Sequence, residues 1–260
     1  HQEDGKIVPR LEQLTLDDLS PGNVVIRGEY SSINYKDALA TTGKGRILRR
    51  FPLVAGVDIA GTVVSSGDER VKPGDVVAVH GCGQSETHDG GFAEYARVPG
   101  DWVNKLPAGI DTRTAMGLGT AGFTAALAIH RLEQNGQTPP LGPIAVTGAT
   151  GGVGSVAVEV LAKLGYHVVA ITGKPEEADY LKGIGAREVL QRQSIDLARI
   201  RPLERATFAG AIDNLGGDIL AWLLASSKVG GTVAAVGLAA DFKINTTVMR
   251  RNVEELADVA

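Results

Sequence analysis

The chain has 260 residues, enough for two modest domains or one large one, and an apolar fraction of 43% supports a sizeable core. Its charges are mixed and sum to -4, which leaves no basic field for nucleic acid, and no stretch approaches the run of about 18 apolar residues that a membrane helix needs. A single cysteine, Cys82, rules out an intrachain disulfide framework and suits a reducing, cytoplasmic setting.

Residue 1 is His rather than Met, so a natural start and any targeting segment are expected to lie ahead of it. Residues 1–112 read as mostly β. Short apolar runs at 23–28, 59–65, 75–80 and 92–98 are expected strands, with Pro21-Gly22, Pro73-Gly74 and Gly90-Gly91 as turns. A helix is expected there only near 35–41. From Thr112 the character changes. A helical pattern over 120–135 runs through Phe123, Leu127, Ile129 and Leu132 and closes near Gly136.

The stretch Ile144-Ala-Val-Thr-Gly-Ala-Thr-Gly-Gly-Val-Gly-Ser155 then reads as strand, glycine turn and helix. The first four residues are an apolar run, as expected of a strand buried on both faces. Val153, Val156, Ala157, Val160, Leu161 and Leu164 recur at helical spacing. Gly148 permits a tight exit from the strand. Gly151 and Gly152 leave the backbone N–H groups open to a pyrophosphate, and Gly154 lets the helix pack closely on the sheet. The helix N-terminus adds unpaired donors and the positive end of its dipole. A glycine pattern alone is weak evidence; the strand before it, the helix after it and a second strand at 167–171 make it a dinucleotide-binding turn.

The end of that second strand distinguishes the dinucleotides. An NAD site places an acid there for the ribose 2′-hydroxyl. This chain has Ile171-Thr-Gly-Lys174, with Arg192 at the end of the next short apolar segment. Thr172, Gly173, Lys174 and Arg192 suit a 2′-phosphate, which points to NADPH. Either charge alone fits a solvated loop equally well; the missing acid tips the balance. A helix over 176–184, strands at 189–190 and 208–213, a helix over 219–226, the turn Gly230-Gly231 and a strand at 232–236 complete the pattern. Such alternation implies an α/β fold with a doubly wound parallel sheet and right-handed crossovers.

Several segments together resemble one family: Ser32-Ile-Asn-Tyr-Lys-Asp-Ala38, Thr42-Gly-Lys44, Phe51-Pro52, Gly56-Val-Asp-Ile-Ala-Gly61, Gly90-Gly-Phe-Ala-Glu-Tyr-Ala-Arg97, Gly119-Thr-Ala-Gly-Phe-Thr-Ala125 and Tyr180-Leu181-Lys182. They are similar to the zinc-free acrylyl-CoA reductase and quinone oxidoreductase branch of the medium-chain dehydrogenases/reductases. The resemblance implies a GroES-like domain at 1–112, an NADPH-binding Rossmann domain at 113–248, a cofactor in the cleft between them and a homodimer. It implies NADPH-dependent reduction of a polarised C=C bond, acryloyl-CoA to propanoyl-CoA, and no zinc. By position it assigns NADP contacts to Tyr35, Thr150 to Val153, Thr172 to Lys174, Arg192 and Leu238; Tyr35 and Leu238 rest on the resemblance alone. After Met249 the chain departs from the family. Residues 250–260 are expected to be a charged, helix-like tail without a counterpart, and full-length relatives continue where this sequence stops matching.

One cysteine cannot supply a four-Cys zinc site, and Gly56-Val-Asp58 lacks the histidine of the G-H-E pattern of zinc relatives. The rival cluster His80, Cys82, Glu86, His88 and Asp89 sits in a glycine-rich loop without clean ligand spacing. Without a metal, hydride goes to the β-carbon of an enoyl thioester, donors aimed at the thioester oxygen lower the barrier, and a side chain or water protonates the α-carbon. Tyr35 is a candidate acid; Asn34 and Thr120 are candidate polar groups near the nicotinamide. Lys44, Arg46, Arg49 and Arg50 form a basic cluster that fits either coenzyme A phosphates or an ordinary solvated loop. Two other functions compete: reduction of quinones or small enones on the same scaffold, and NADPH binding without turnover.

Overall fold

The structure, a computed structural model, describes residues 1–201 and 204–240. Contacts divide the chain into two units, His1–Thr120 and Ala121–Ala260.

The first unit opens with a hairpin of β1 (Gln2–Glu3) and β2 (Lys6–Ile7). Its turn, Asp4-Gly5, holds both residues at positive φ, as a two-residue hairpin loop requires. The main sheet is antiparallel, in the order β6 (Tyr95–Val98), β3 (Val24–Tyr30), β4 (Asp58–Ser66), β5 (Val76–His80), β7 (Asn104–Lys105). Helix α1 (Tyr35–Thr42) lies between β3 and β4 in the chain. Alternation puts Val24, Ile26, Ile59, Val63, Val77, Val79, Ala96 and Val98 into one buried cluster. The expected strand at 92–98 is shorter because 90–92 bond elsewhere. The N–H groups of Gly90, Gly91 and Phe92 donate to the carbonyls of Val54, Gly56 and Ala55.

Helix α2 (Thr112–Gln134) starts earlier than its pattern predicted and is broken at Gly119, whose φ of 53° and ψ of -160° are not helical. Beyond the break its buried face is Ala125, Ala128, Ile129 and Leu132. Phe123 and Leu127, expected on that face, are exposed; small Ala side chains make the contact instead.

The second unit is a five-stranded parallel sheet in the order β10 (Glu188–Gln191), β9 (Val168–Thr172), β8 (Ile144–Thr147), β11 (Phe208–Asp213), β12 (Ser227–Ala235). Helices α3 (Gly152–Lys163), α4 (Ala178–Gly183) and α5 (Gly217–Ala225) connect them. Successive residues of β8 face opposite ways. Ile144 and Val146 pack with Leu132, Val158 and Leu161, while Ala145 packs with Ile219 and Leu223. Both faces are therefore covered, as a doubly wound sheet demands. In α3 the buried residues are Gly154, Ala157, Val158 and Leu161; Leu164, read as part of the apolar stripe, is exposed. Gly230-Gly231 is not a turn before the last strand but lies inside β12. There the register with β11 shifts, and a Cβ on Gly231 would stand 2.8 Å from the Lys228 carbonyl oxygen. The tail at 250–260 lies outside the described residues.

A test of the first sheet is Gly61. A Cβ there would come within 1.9 Å of the Arg27 carbonyl oxygen on β3, so the strands must part. Gly61→Ala is expected to lower unfolding free energy by about 2–3 kcal/mol, read from the urea midpoint; an unchanged midpoint would contradict this packing.

Candidate active site

Because the strands of the second sheet are parallel, β8 to β12 all end on one edge. The chain runs outward from β8 to β10 and returns to β11, so the order reverses between β8 and β11, where open α/β sheets bind ligands. Gly148 leaves β8 at a φ of 57°. The Gly151 N–H returns to the Gly148 carbonyl at 2.9 Å, and the Ser155 N–H reaches the Gly151 carbonyl at 2.8 Å. The N–H groups of Gly152, Val153 and Gly154 come before that first helical donor and have no acceptor within the helix. Such open donors at a helix start suit an anion. A Cβ on Gly154 would stand 2.3 Å from the Gly148 oxygen, so only glycine lets helix and turn approach this closely. Thr150 is half-buried, and Gly151 and Gly152 are exposed.

At the end of β9, Thr172 is buried and its Oγ1 accepts the Lys174 N–H at 3.0 Å. Gly173 and Lys174 are exposed. Arg192 follows β10, the neighbouring strand, and its guanidinium lies along Gly173, 3.7 Å from where a Cβ would stand. Gln193 Nε2 donates to the Gly173 carbonyl at 3.1 Å. Neither Lys174 nor Arg192 has an ion-pair partner among the described residues. Thr172, Gly173, Lys174 and Arg192, from the ends of two neighbouring strands, thus meet at one corner that carries two cations and no acid.

Sequence reasoning missed the end of β11. Asp213 is buried and accepts from Thr147 Oγ1 at 2.6 Å and from the Gly216 N–H at 2.8 Å. Asn214 Nδ2 donates to the Thr147 carbonyl at 2.7 Å. The Gly237 N–H bonds the Asp213 carbonyl at 3.1 Å, which sets the exposed Leu238 on the same edge. The missed signal was a polar pair closing an apolar run.

In the first unit the polar centre is Asp58, completely buried at the start of β4. Its Oδ2 accepts from Ser32 Oγ, from Asn34 Nδ2 at 3.0 Å and from the Thr120 N–H at 3.0 Å. Its Oδ1 accepts from Thr120 Oγ1 at 2.5 Å and faces His80 Nδ1 at 3.1 Å. Burial alone would raise this carboxyl; the hydrogen bonds from His80, Ser32 and Thr120 outweigh it and hold it at about 2. Gly119 permits the arrangement. A Cβ there would lie 2.8 Å from Ser32 Oγ and 3.1 Å from Asp58 Oδ2, and its left-handed backbone turns Thr120 toward the carboxylate.

Asp37, also buried, fixes Asn34 from the other side. Its Oδ2 accepts the Asn34 N–H at 2.8 Å and its Oδ1 the Val57 N–H at 3.1 Å. Burial raises its carboxyl, against the Asn34 and Val57 bonds, with the Asp58 charge adding to the rise. Two of the three candidate catalytic residues, Asn34 and Thr120, thus meet at one carboxylate. Tyr35 does not join them: the residue is 64% exposed. Asp58 and His80 were not singled out for the reaction from sequence; the clue was an acid inside the apolar run Val57-Asp-Ile-Ala60.

The remaining candidates are committed elsewhere. Glu86 pairs with Lys36. His88 bonds the carbonyls of Asp89 and Pro21. Asp89 takes Arg50 at 2.7 Å together with Ser20 and the Val54 N–H. Arg50 is therefore a structural member of the basic cluster, whereas Lys44, Arg46 and Arg49 have no ion pair among the described residues. Also among the described residues, no group of three or more Cys, His, Asp or Glu side chains is set to hold a metal, and no helix is long and apolar enough to cross a membrane.

Residues 20–108 match the alcohol dehydrogenase GroES-like domain and residues 152–254 the zinc-binding dehydrogenase domain. Acrylyl-CoA reductase AcuI from Ruegeria pomeroyi is 50% identical over 248 residues, 95% of this chain and 75% of the relative. The putative quinone oxidoreductase YhfP from Bacillus subtilis is 48% identical over 238 residues, 92% of this chain and 72% of the relative. The chain belongs to the zinc-free acrylyl-CoA reductase and quinone oxidoreductase branch of the medium-chain dehydrogenases/reductases. Among solved structures of this branch, Escherichia coli K-12 YhdH with bound NADPH superposes with a TM-score of 0.93 at 49% identity, covering 98% of this chain and 78% of that one. YhfP was solved with NAD bound and superposes with a TM-score of 0.86.

Asp58 gives a pH test. Its carboxyl is depressed in the fold, from 3.8 to about 2, so its contribution is complete above the ordinary value and is lost as pH falls through the depressed one. Wild type should exceed Asp58→Asn by at least about 2 kcal/mol at neutral pH. That gap should shrink in acid, in denaturant titrations across pH. A gap that does not change with pH would mean the carboxyl is not held low.

Proposed function

We propose that this protein uses NADPH to reduce the C=C bond of a small enoyl thioester, taking acryloyl-CoA to propanoyl-CoA. The observation that carries the reading is half-identity with an acrylyl-CoA reductase over nearly the whole chain. The strand-end geometry supports the cofactor. Bound NADPH would supply a hydride. The open N–H groups of Gly152, Val153 and Gly154 would hold its pyrophosphate, with Thr150 and Gly151 shaping the turn. Thr172, Gly173, Lys174 and Arg192 would take the 2′-phosphate, and Tyr35 and Leu238 would be further cofactor contacts by resemblance.

Asn34 and Thr120 act by position in this scheme. Asn34 Nδ2 donates to Ser32 Oγ and Asp58, and the Thr120 N–H and hydroxyl both donate to Asp58. Lys44, Arg46 and Arg49 are the cations left for coenzyme A phosphates. The homodimer implied by the resemblance and the cytoplasmic location suited by the single cysteine belong to the same proposal. A quinone or enone reductase is the second reading, favoured by the likeness to YhfP.

Acryloyl-CoA and a benzoquinone, each with NADPH and with NADH, separate these readings by kcat/KM. Preference for the thioester with NADPH is expected; preference for the quinone moves the protein to the second reading. Binding of NADPH without turnover of either would leave a non-catalytic protein. Lys174→Glu and Arg192→Glu should each weaken NADPH about tenfold or more and leave NADH unchanged in calorimetric titrations; equal effects on both would remove the 2′-phosphate assignment. Arg49→Glu should raise KM for acryloyl-CoA several-fold, and an unchanged KM would remove the coenzyme A role of that cluster.

A further inference from the structure

His80 is the last residue of β5 and the register partner of Asp58 on β4. An ionised carboxylate only accepts hydrogen bonds, so the His80 Nδ1 that faces Asp58 carries a hydrogen. The second nitrogen, Nε2, is then the one free to exchange a proton. It has no hydrogen-bond partner among the described residues, and the side chain is 23% exposed. The pair has the form of an imidazole oriented by a buried acid.

The titratable groups on the neighbouring elements are otherwise engaged. Lys36 of α1 bonds Glu86 of the loop after β5, and Lys105 of β7 bonds Asp75. Asp37 is held by Asn34 and Val57, and burial pushes the Cys82 thiol up. Among the described residues, only Asp58 bonds the ring. The other donors gathered at this carboxylate, from Ser32, Asn34 and Thr120, are directed at Asp58 or at one another.

We propose that His80 is the acid that protonates the α-carbon in this reduction, with Asp58 as its positioning residue. The assignment rests on the reading of the protein as an activated-alkene reductase. Hydride forms the new C–H bond at the β-carbon, and the π pair moves onto the α-carbon and thioester carbonyl as an enolate. The enolate takes the proton from His80 Nε2; the N–H pair stays on nitrogen and a C–H bond forms at the α-carbon. The ring is left neutral with its hydrogen on Nδ1 against Asp58, and solvent returns a proton to Nε2.

His80→Gln keeps a side chain that can donate to Asp58 but cannot titrate. It is expected to bind NADPH with wild-type affinity while kcat falls by about 10²-fold or more. The decline of kcat toward alkaline pH, where the acid loses its proton, should disappear. In deuterium oxide the wild type should deuterate one face of the α-carbon and His80→Gln both faces. If His80→Gln keeps kcat, or loses rate but keeps the alkaline decline and the single-face labelling, the ring is structural and the proposal is overturned. A wild type that binds NADPH but reduces no enoyl thioester, enone or quinone overturns the functional reading and this assignment with it. Should the variant not fold, long-range proton–nitrogen NMR of the wild type decides: the neutral ring must carry its hydrogen on Nδ1, and an Nε2–H form overturns the proposal.

Discussion

A carboxylate buried at the head of a strand is unstable unless donors surround it, and Asp58 is the residue on which the first unit's polar architecture depends. Among the described residues, its carboxylate takes five hydrogen bonds, from the segment after β3, from the end of β5 and from the break in α2. Each of those segments has its own local reason to end where it does. Asn34 is the N-cap residue of α1, β5 stops at His80, and α2 loses helical geometry at Gly119. The carboxylate converts three chain ends into one fixed group, and the depressed ionisation of Asp58 is the electrostatic signature of that convergence.

The second unit uses the same economy at its strand edge. Asp213 closes β11 with bonds to Thr147 and Gly216, and Asn214 ties back to Thr147, so the exits of β8 and β11 hold one another. The glycine turn is clamped between them. Gly154 approaches the Gly148 oxygen, and Gly237 approaches the Asn214 oxygen, contacts that no side chain could share. The shape of the turn at the start of α3 is thus set by backbone packing, independent of any one polar side chain.

Much of this was legible in the sequence. Period and punctuation identified the strand–turn–helix at 144–155 and the alternation after it, because parallel strands read as unbroken apolar runs. The corner made by Thr172, Gly173, Lys174 and Arg192 was legible because an expected acid is missing there. The Asp58 centre was not, because its partners come from three distant stretches and no local period brings them together. Gly119 was read as part of a family motif rather than as a helix break, and Gly230-Gly231 as a turn rather than an irregularity within β12, because glycine signals backbone freedom without saying how it is used. Arg50 looked like one of four interchangeable cations; only its partners Asp89 and Ser20 distinguish it from Arg49.

The way Gly119 and Asp58 fit together also bears on how this sequence can drift. Position 119 combines a left-handed backbone with a Cβ direction blocked by Ser32, so a side chain can enter there only if residue 32 shrinks and the helix straightens. A straightened helix turns the Thr120 N–H away and leaves Asp58 short of a donor, which in turn favours loss of the acid. Residues 32, 58, 80, 119 and 120 are therefore expected to change as a set among descendants of this chain, while the apolar residues packed around them are free to exchange one at a time.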